Sequence, residues 1–354
     1  MEGSLQTDAK RVQITAQLVD GTTGAQLWSE RYDRPLDQLF DARDEVTAQI
    51  VATLTGIAGP LATGGEKIAR SKPPDSLDAY DNLKLALAAY RRHTPQSNAE
   101  AQRLLDRAIT LDPGFSHAYA LLAWVYWDAA FLGWDEDPAS AWRQFHDTAR
   151  KAAEADPNNG HAQLVLGMSY FLQDNTSLGA AAWDRALSLS PNDSTVIRPI
   201  GTQLPIALGV ERAAEGVELV KRALRLNPLH TPYEFMSLGI TMYFARHYDE
   251  AVLALEKVPD PDLEVRVMLA LSYAMVGRAQ EATEQVRKVL EVEPAFSAEA
   301  WVDKDFYQPG GSSAALFFDG ARRAGMPLCA PASVASQIDP RNRLPECMGT
   351  ALTK

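Results

Sequence analysis

Between residues 161 and 191 the chain reads HAQLVLGMSYFLQDNTSLGAAAWDRALSLSP, and its apolar and small positions fall at helical spacing in two short runs broken by a polar turn. Leu166, Gly167, Tyr170, Gly179, Trp183 and Ala186 set the order small, large, small that lets two helices cross closely. The pattern predicts a helix, a turn and a second helix, with Gly167 and Gly179 at the crossing and Ala186 facing the next pair. Prolines close comparable runs at Pro113, Pro157, Pro191, Pro228, Pro259 and Pro294, at intervals of 44, 34, 37, 31 and 35 residues. Each lacks an N–H and stops the second helix of its pair. The first helices answer in register with Tyr119, Leu122, Ala123 and Tyr126, then Phe235, Leu238 and Gly239, then Leu269, Ala270 and Tyr273.

Six anchors at an interval near 34 residues resemble the tetratricopeptide repeat (TPR), a helix-turn-helix unit of about that length. The expected fold is mainly α: a helical-hairpin solenoid, an α-α superhelix. Two departures stand out. The 44-residue interval carries a surplus of about ten residues near FLGWDEDPAS, either an elongated helix or a loop. In TVIRPIGTQLPIALG, Pro199 and Pro205 should kink or shorten the helix that contains them.

The first 57 residues follow a different period. VQITAQLVD and AQLWSERYD alternate as strands about a GTTG turn, Glu2 to Gln6 offer a third strand, and Leu39, Val46, Ile50 and Leu54 mark one face of a following helix. The predicted organisation is a partial α/β segment over 1–58, a glycine- and proline-rich linker over 59–75, about six helix pairs over 76–298, capping helices over 299–328, and a disordered tail over 329–354.

The pieces QLWSERYDR and DARDEVTAQIV resemble the end of an α/β module related to the amino-terminal domain of the TolB protein, and the likeness extends through the repeats to WVDKDFYQPGGSSAALFFDGARRAGMP. In bacterial proteins of this kind the module precedes TPR arrays, behind a class III adenylate or guanylate cyclase domain or a winged-helix DNA-binding domain. The resemblance implies an amino-terminally truncated relative, because the earlier strands of the module and any such domain do not appear here. Residues 12–32 would then present an open sheet edge, able to pair with a second copy or to dock on the repeats.

Net charge is −12, which repels a phosphate backbone, so direct nucleic-acid binding is not expected. No apolar run reaches membrane-spanning length and the first residues contain no signal-like apolar stretch, so the expected setting is cytoplasmic. Cys329 and Cys347 read as free thiols. The six histidines (His93, His117, His146, His161, His230 and His247) show no zinc spacing, GPLATGGEK at 59–67 lacks the phosphate-loop register, and GGSS at 310–313 is not a nucleophile elbow. Glu281, Glu284 and Arg287 read as an exposed helix face. No catalytic residue, cofactor or metal ligand is assigned.

Binding is the better-supported expectation, since a solenoid offers a concave surface for a protein or peptide. The inward positions in this register are Trp124, Trp127, Leu164, Met168, Phe171, Met236, Ile240 and Tyr243. They are apolar and carry no lysine-asparagine clamp of the kind TPR domains use on chaperone tails. They read equally as a groove or as superhelix core. Gly167, Tyr170, Gly179, Trp183, Ala186, Gly239 and Tyr273 are assigned to packing between helices.

Overall fold

The computed structural model describes residues 2–8, 10–19, 21, 24, 26–35, 47, 50, 65–66, 69–70, 72–73, 76–227, 232–305, 307–308 and 310–348. The chain divides into two compact units, Met1–Pro113 with Asn192–Thr195 and Ala223–Leu229, and Gly114–Pro191 with Val196–Arg222 and His230–Lys354.

In the first unit, β1 (Glu2–Thr7), β2 (Arg11–Val19) and β3 (Gln26–Pro35) form an antiparallel meander in the order β1-β2-β3. Leu5 pairs with Ile14 and Ile14 with Tyr32, so alternate residues share one face. On it, Ala16, Tyr32 and Ile50 are buried, with Ile14, Leu18 and Trp28 packed around them. Leu39, Val46 and Leu54, expected beside Ile50, lie outside the described residues. Most of the expected linker lies outside them too, but Ala69 is buried and Glu66 pairs with Arg91 at 2.9 Å. Helix α1 (Ala79–Tyr90) starts on the capping box of Asp78 and Asp81, and α2 (Pro95–Leu111) on Thr94 with Pro95 in its first turn.

The second unit stacks helical hairpins in chain order: α3 (Ser116–Phe131) with α4 (Pro138–Ala155), α5 (Gly160–Phe171) with α6 (Thr176–Leu189), α7 (Ser194–Leu208) with α8 (Ala213–Leu226), α9 (Pro232–Phe244) with α10 (Tyr248–Leu255), and α11 (Leu263–Met275) with α12 (Ala279–Val292). Glycines set the crossings. A Cβ on Gly167 would lie 2.3 Å from the Trp183 ring, one on Gly179 2.7 Å from Phe171, and one on Gly239 2.4 Å from Leu255. The room left by Gly167 lets Trp183 donate its indole N–H to the Leu164 carbonyl at 3.1 Å.

The long interval resolves into both of its alternatives in part. Helix α3 continues to Phe131, residues 132–137 form a loop, and α4 runs for 18 residues. The two prolines of α7 do not shorten it, since the helix holds 15 residues with Pro199 and Pro205 inside. Pro205 has no N–H for the Gly201 carbonyl. The Gly216 backbone packs there instead, so close that a Cβ would come 2.5 Å from that oxygen.

After α12 come α13 (Ala298–Lys304), α14 (Ser312–Ala324), and two short turns of helix, α15 (Ala332–Ala335) and α16 (Pro345–Met348). Two expectations are corrected here. Cys329 and Cys347 are joined in a disulfide, with Cα atoms 5.2 Å apart. Residues 329–348 of the tail are ordered, and Ile338, Leu344 and Cys347 are buried. The apolar residues of that stretch are too few and too irregular to show a period. They pack because the disulfide and two carboxylates hold the loop on α13.

Candidate functional site

The first helices of the hairpins (α3, α5, α7, α9, α11) form one layer, and the segment from α13 to α14 lies against it. Gly320 is the closest point. A Cβ there would stand 2.2 Å from the Tyr243 hydroxyl and 3.3 Å from Leu271. Tyr243 donates to the carbonyl of Leu316 at 3.1 Å. Burial raises the pKa of its hydroxyl far above the usual tyrosine range and keeps it a neutral donor. Tyr307 packs between Phe244 and Phe317, with ring centroids 6.0 and 5.5 Å away.

The same segment reaches the earlier hairpins. Trp301 meets Phe131, at the end of α3, edge to face at 6.1 Å. Lys304 lays its ammonium over both rings, 4.8 Å from the Phe131 centroid and 4.5 Å from that of Trp301. Thr176 of α6 donates to Gln308 at 2.9 Å, the Val210 N–H to the Ser312 hydroxyl at 3.1 Å, and Ser313 to the carbonyl of Pro205. The expected cap on the last pair therefore also contacts α3, α6, α7 and α9.

The sequence-derived groove is mostly buried, and largely within its own hairpins, where Phe171 packs on Trp183 and Trp127 on Trp142 and Phe145. Leu164, Met168, Phe171, Ile240 and Tyr243 are each at most 3% exposed and Trp127 is 7% exposed, so these six are core and present no open surface. Trp124 and Met236 remain half-buried. Among the packing residues, Trp183 and Ala186 are buried, Tyr170 is half-buried, and Tyr273 is buried with its hydroxyl donating to Glu256 at 2.9 Å beneath Arg278.

Charged groups meet around Glu264, which feels Asp262, Asp305, Lys304 and Arg198. Arg198 donates to Ser237 at 3.1 Å. Burial, with Asp262 and Asp305 adding, pushes the Glu264 carboxyl up to about 8 against the pull of Lys304 and Arg198. Burial lowers the Lys304 pKa. No group of three or more His, Cys, Asp or Glu that could hold a metal occurs among the described residues. His146 sits beside the Ser169 hydroxyl at 2.9 Å, and Glu284 and Arg287 form a surface pair at 2.8 Å. A cavity of 250 Å³ opens beside Phe318, but its arginines are engaged, Arg322 by Glu346, Arg341 by Asp174 and Asp339, and Arg343 by Glu299.

Sequence reasoning missed Glu299. It is fully buried, and its carboxylate accepts from the N–H of Leu344 at 2.7 Å, the N–H of Ala330 at 2.9 Å and Arg343 at 3.1 Å. Nothing local in AEAWVDK distinguishes it from a solvated helix residue.

No family model matches the chain. The chain is 35% identical over 172 residues to the putative adenylate cyclase 3 of Rhizobium meliloti (strain 1021), a stretch covering 48% of this chain and 29% of that protein. It is 26% identical over 222 residues to the transcriptional regulator HilA of Salmonella typhimurium, covering 62% of this chain and 39% of that protein. The matches thus span less than half the length of either relative. Among solved structures, the human IFIT1 dimer with m7Gppp-AAAA aligns at TM-score 0.50 and 17% identity, over 65% of this chain and 55% of that one. The fold is a TPR-type helical solenoid preceded by a small antiparallel sheet. No described helix is long and apolar enough to cross a membrane.

Proposed function

We propose that this chain is a non-catalytic scaffold whose helical hairpins bind a protein through their inner face. The observation that carries the reading is the seating of α13 and α14 on that face. A helix with paired aromatics, Phe317 and Phe318, is held there by side chains that address its backbone, as Tyr243 does Leu316. A surface that accommodates one such helix has the shape and donors for another, and TPR arrays bind polypeptide in this place. The partner is a protein presenting an amphipathic helix with adjacent aromatic residues. Selection of random peptides on the immobilised full chain, both oxidised and reduced with dithiothreitol, tests this. Enriched peptides should be aromatic and amphipathic and should lose binding with Met236→Arg. No enrichment, or enrichment indifferent to Met236, contradicts it.

A second reading rests on the 35% identity to a putative adenylate cyclase: the chain would serve as the regulatory arm of a nucleotide cyclase. Adding the purified chain to a class III cyclase catalytic domain should then change its rate of cyclic-nucleotide formation. A related reading, the arm of a winged-helix regulator, draws its support from the 26% identity to the transcriptional regulator HilA. Self-association would use the outer edge of β1 or of β3, the two edge strands of the meander. Light scattering across a concentration series checks it.

A further inference from the structure

We propose that the Cys329–Cys347 disulfide is a latch on α13, and that its reduction by a dithiol frees the aromatic site at Phe131 for a partner helix. The inference rests on the scaffold reading above.

The disulfide joins no hairpin to another. Both cysteines lie beyond α14, 18 residues apart, and the loop between them folds back onto α13. Glu299, near the start of α13, holds both ends of that loop. One carboxylate oxygen takes the N–H of Ala330, next to Cys329, and the other takes Leu344 and Arg343, close to Cys347. One turn further on, Asp303 accepts from the Asp339 N–H at 2.9 Å and from Asn342 at 3.0 Å. The loop also reaches the array, where Arg341 pairs with Asp174, after α5, at 2.8 Å. Helix α13 carries Trp301 and Lys304 into the aromatic site at Phe131, so what grips the loop also positions these two side chains.

Two features make this bond a switch. Cys329 is exposed while Cys347 is 3% exposed, so Cys329 is the more accessible half of the bond. A thiolate of the dithiol attacks Cys329 Sγ, the S–S bond breaks, and Cys347 leaves as a thiolate and takes a proton. The second thiol of the reductant then attacks the mixed disulfide and releases Cys329. The protein gains two electrons and two protons, and the reductant departs as its own disulfide. Without the bond, the loop must be ordered by Glu299, Asp303 and Arg341 alone, at the entropic cost of closing it. A seven-residue helix such as α13 has little intrinsic stability to keep its place.

Two readouts on the full chain, oxidised and after reduction with dithiothreitol, separate the latch from the scaffold. Trypsin cleavage after Lys304 reports release of the segment, because that side chain is packed on two rings. Fluorescence anisotropy of a fluorescein-labelled peptide of residues 296–305, which carries Trp301 and Lys304, reports access to the site at Phe131. On reduction, cleavage after Lys304 should accelerate at least about tenfold while cleavage after Lys151 in α4 keeps its rate, and the peptide should bind only the reduced chain. Equal cleavage at Lys304 in both states overturns the latch, as does measurable peptide binding of the same affinity in both, which leaves the scaffold reading standing. Faster cleavage after Lys151 as well would show general unfolding and also overturn it. Selective cleavage without peptide binding supports the latch and contradicts the scaffold.

Discussion

Tyr243 gives its hydroxyl proton to the carbonyl of Leu316, 73 residues further along the chain, and the absence of a side chain on Gly320 is what lets the two helices come close enough. This contact ties the array to its own closing segment. Removing the hydroxyl in Tyr243→Phe keeps the ring and its packing, so the loss should be one hydrogen bond, about 1 kcal/mol in urea unfolding. Faster amide exchange in 312–324 than in 160–189 should accompany it.

Gly320→Ala tests the same approach from the other side. The new methyl would stand 2.2 Å from the Tyr243 oxygen, and the buried ring has little room to retreat. The expected cost is about 1–3 kcal/mol, against the small gain alanine brings to an exposed helix. The double variant with Tyr243→Phe should recover part of the loss. Additive costs in that cycle would contradict the contact.

Gly167→Leu probes the hairpin crossing itself. Its side chain would collide with the Trp183 indole, whose nitrogen is committed to the Leu164 carbonyl. A destabilisation of about 1–3 kcal/mol or more is expected, with loss of the Trp183 fluorescence environment. Unchanged thermal unfolding would contradict the packing.

These crossings were legible in the sequence because they repeat: glycine or alanine must recur wherever one helix pair copies the last, and the prolines mark the period. The inner face was not legible, for two physical reasons. An apolar residue that faces a ligand and one that faces its own chain have the same chemistry, so Leu164 and Tyr243 fitted groove and core alike. The clamp on the closing segment is made of single long-range contacts, Glu299 to Leu344 and Arg341 to Asp174, which leave no periodic trace. Pairing of Cys329 with Cys347 was missed for the same reason, since two cysteines in a polar stretch declare nothing about the buried carboxylate that brings their ends together.

The disulfide closes a short loop, so Cys329→Ser with Cys347→Ser should lower stability by about 3 kcal/mol by chain entropy. Denaturant titration of the double variant against the oxidised chain checks it. A loss near zero would mean that the loop is ordered equally well without the bond.

Glu264 gives the account a pH dependence. Its folded pKa, about 8, lies above the ordinary 4.5, so the folded chain holds this proton more tightly than the unfolded one. Stability from this group is therefore present below about pH 4.5 and is lost as pH rises to about 8. Glu264→Gln should stabilise the protein at pH 8 by on the order of 2 kcal/mol, tempered by the helix N-terminus that favours the charge, and should have no such effect at pH 4. Urea unfolding at the two pH values gives the comparison.

The central claim is that the hairpins hold a polypeptide on their inner face, and that in the oxidised chain this polypeptide is their own closing segment. Hydrogen exchange on the dilute, oxidised full chain tests it most directly, read for residues 312–324 against residues 160–171. The account predicts comparable protection in the two helices, with Leu316 to Gly320 among the slowest amides of the closing segment. Exchange of 312–324 at the rate of an undocked helix, while 160–171 stays protected, would contradict it.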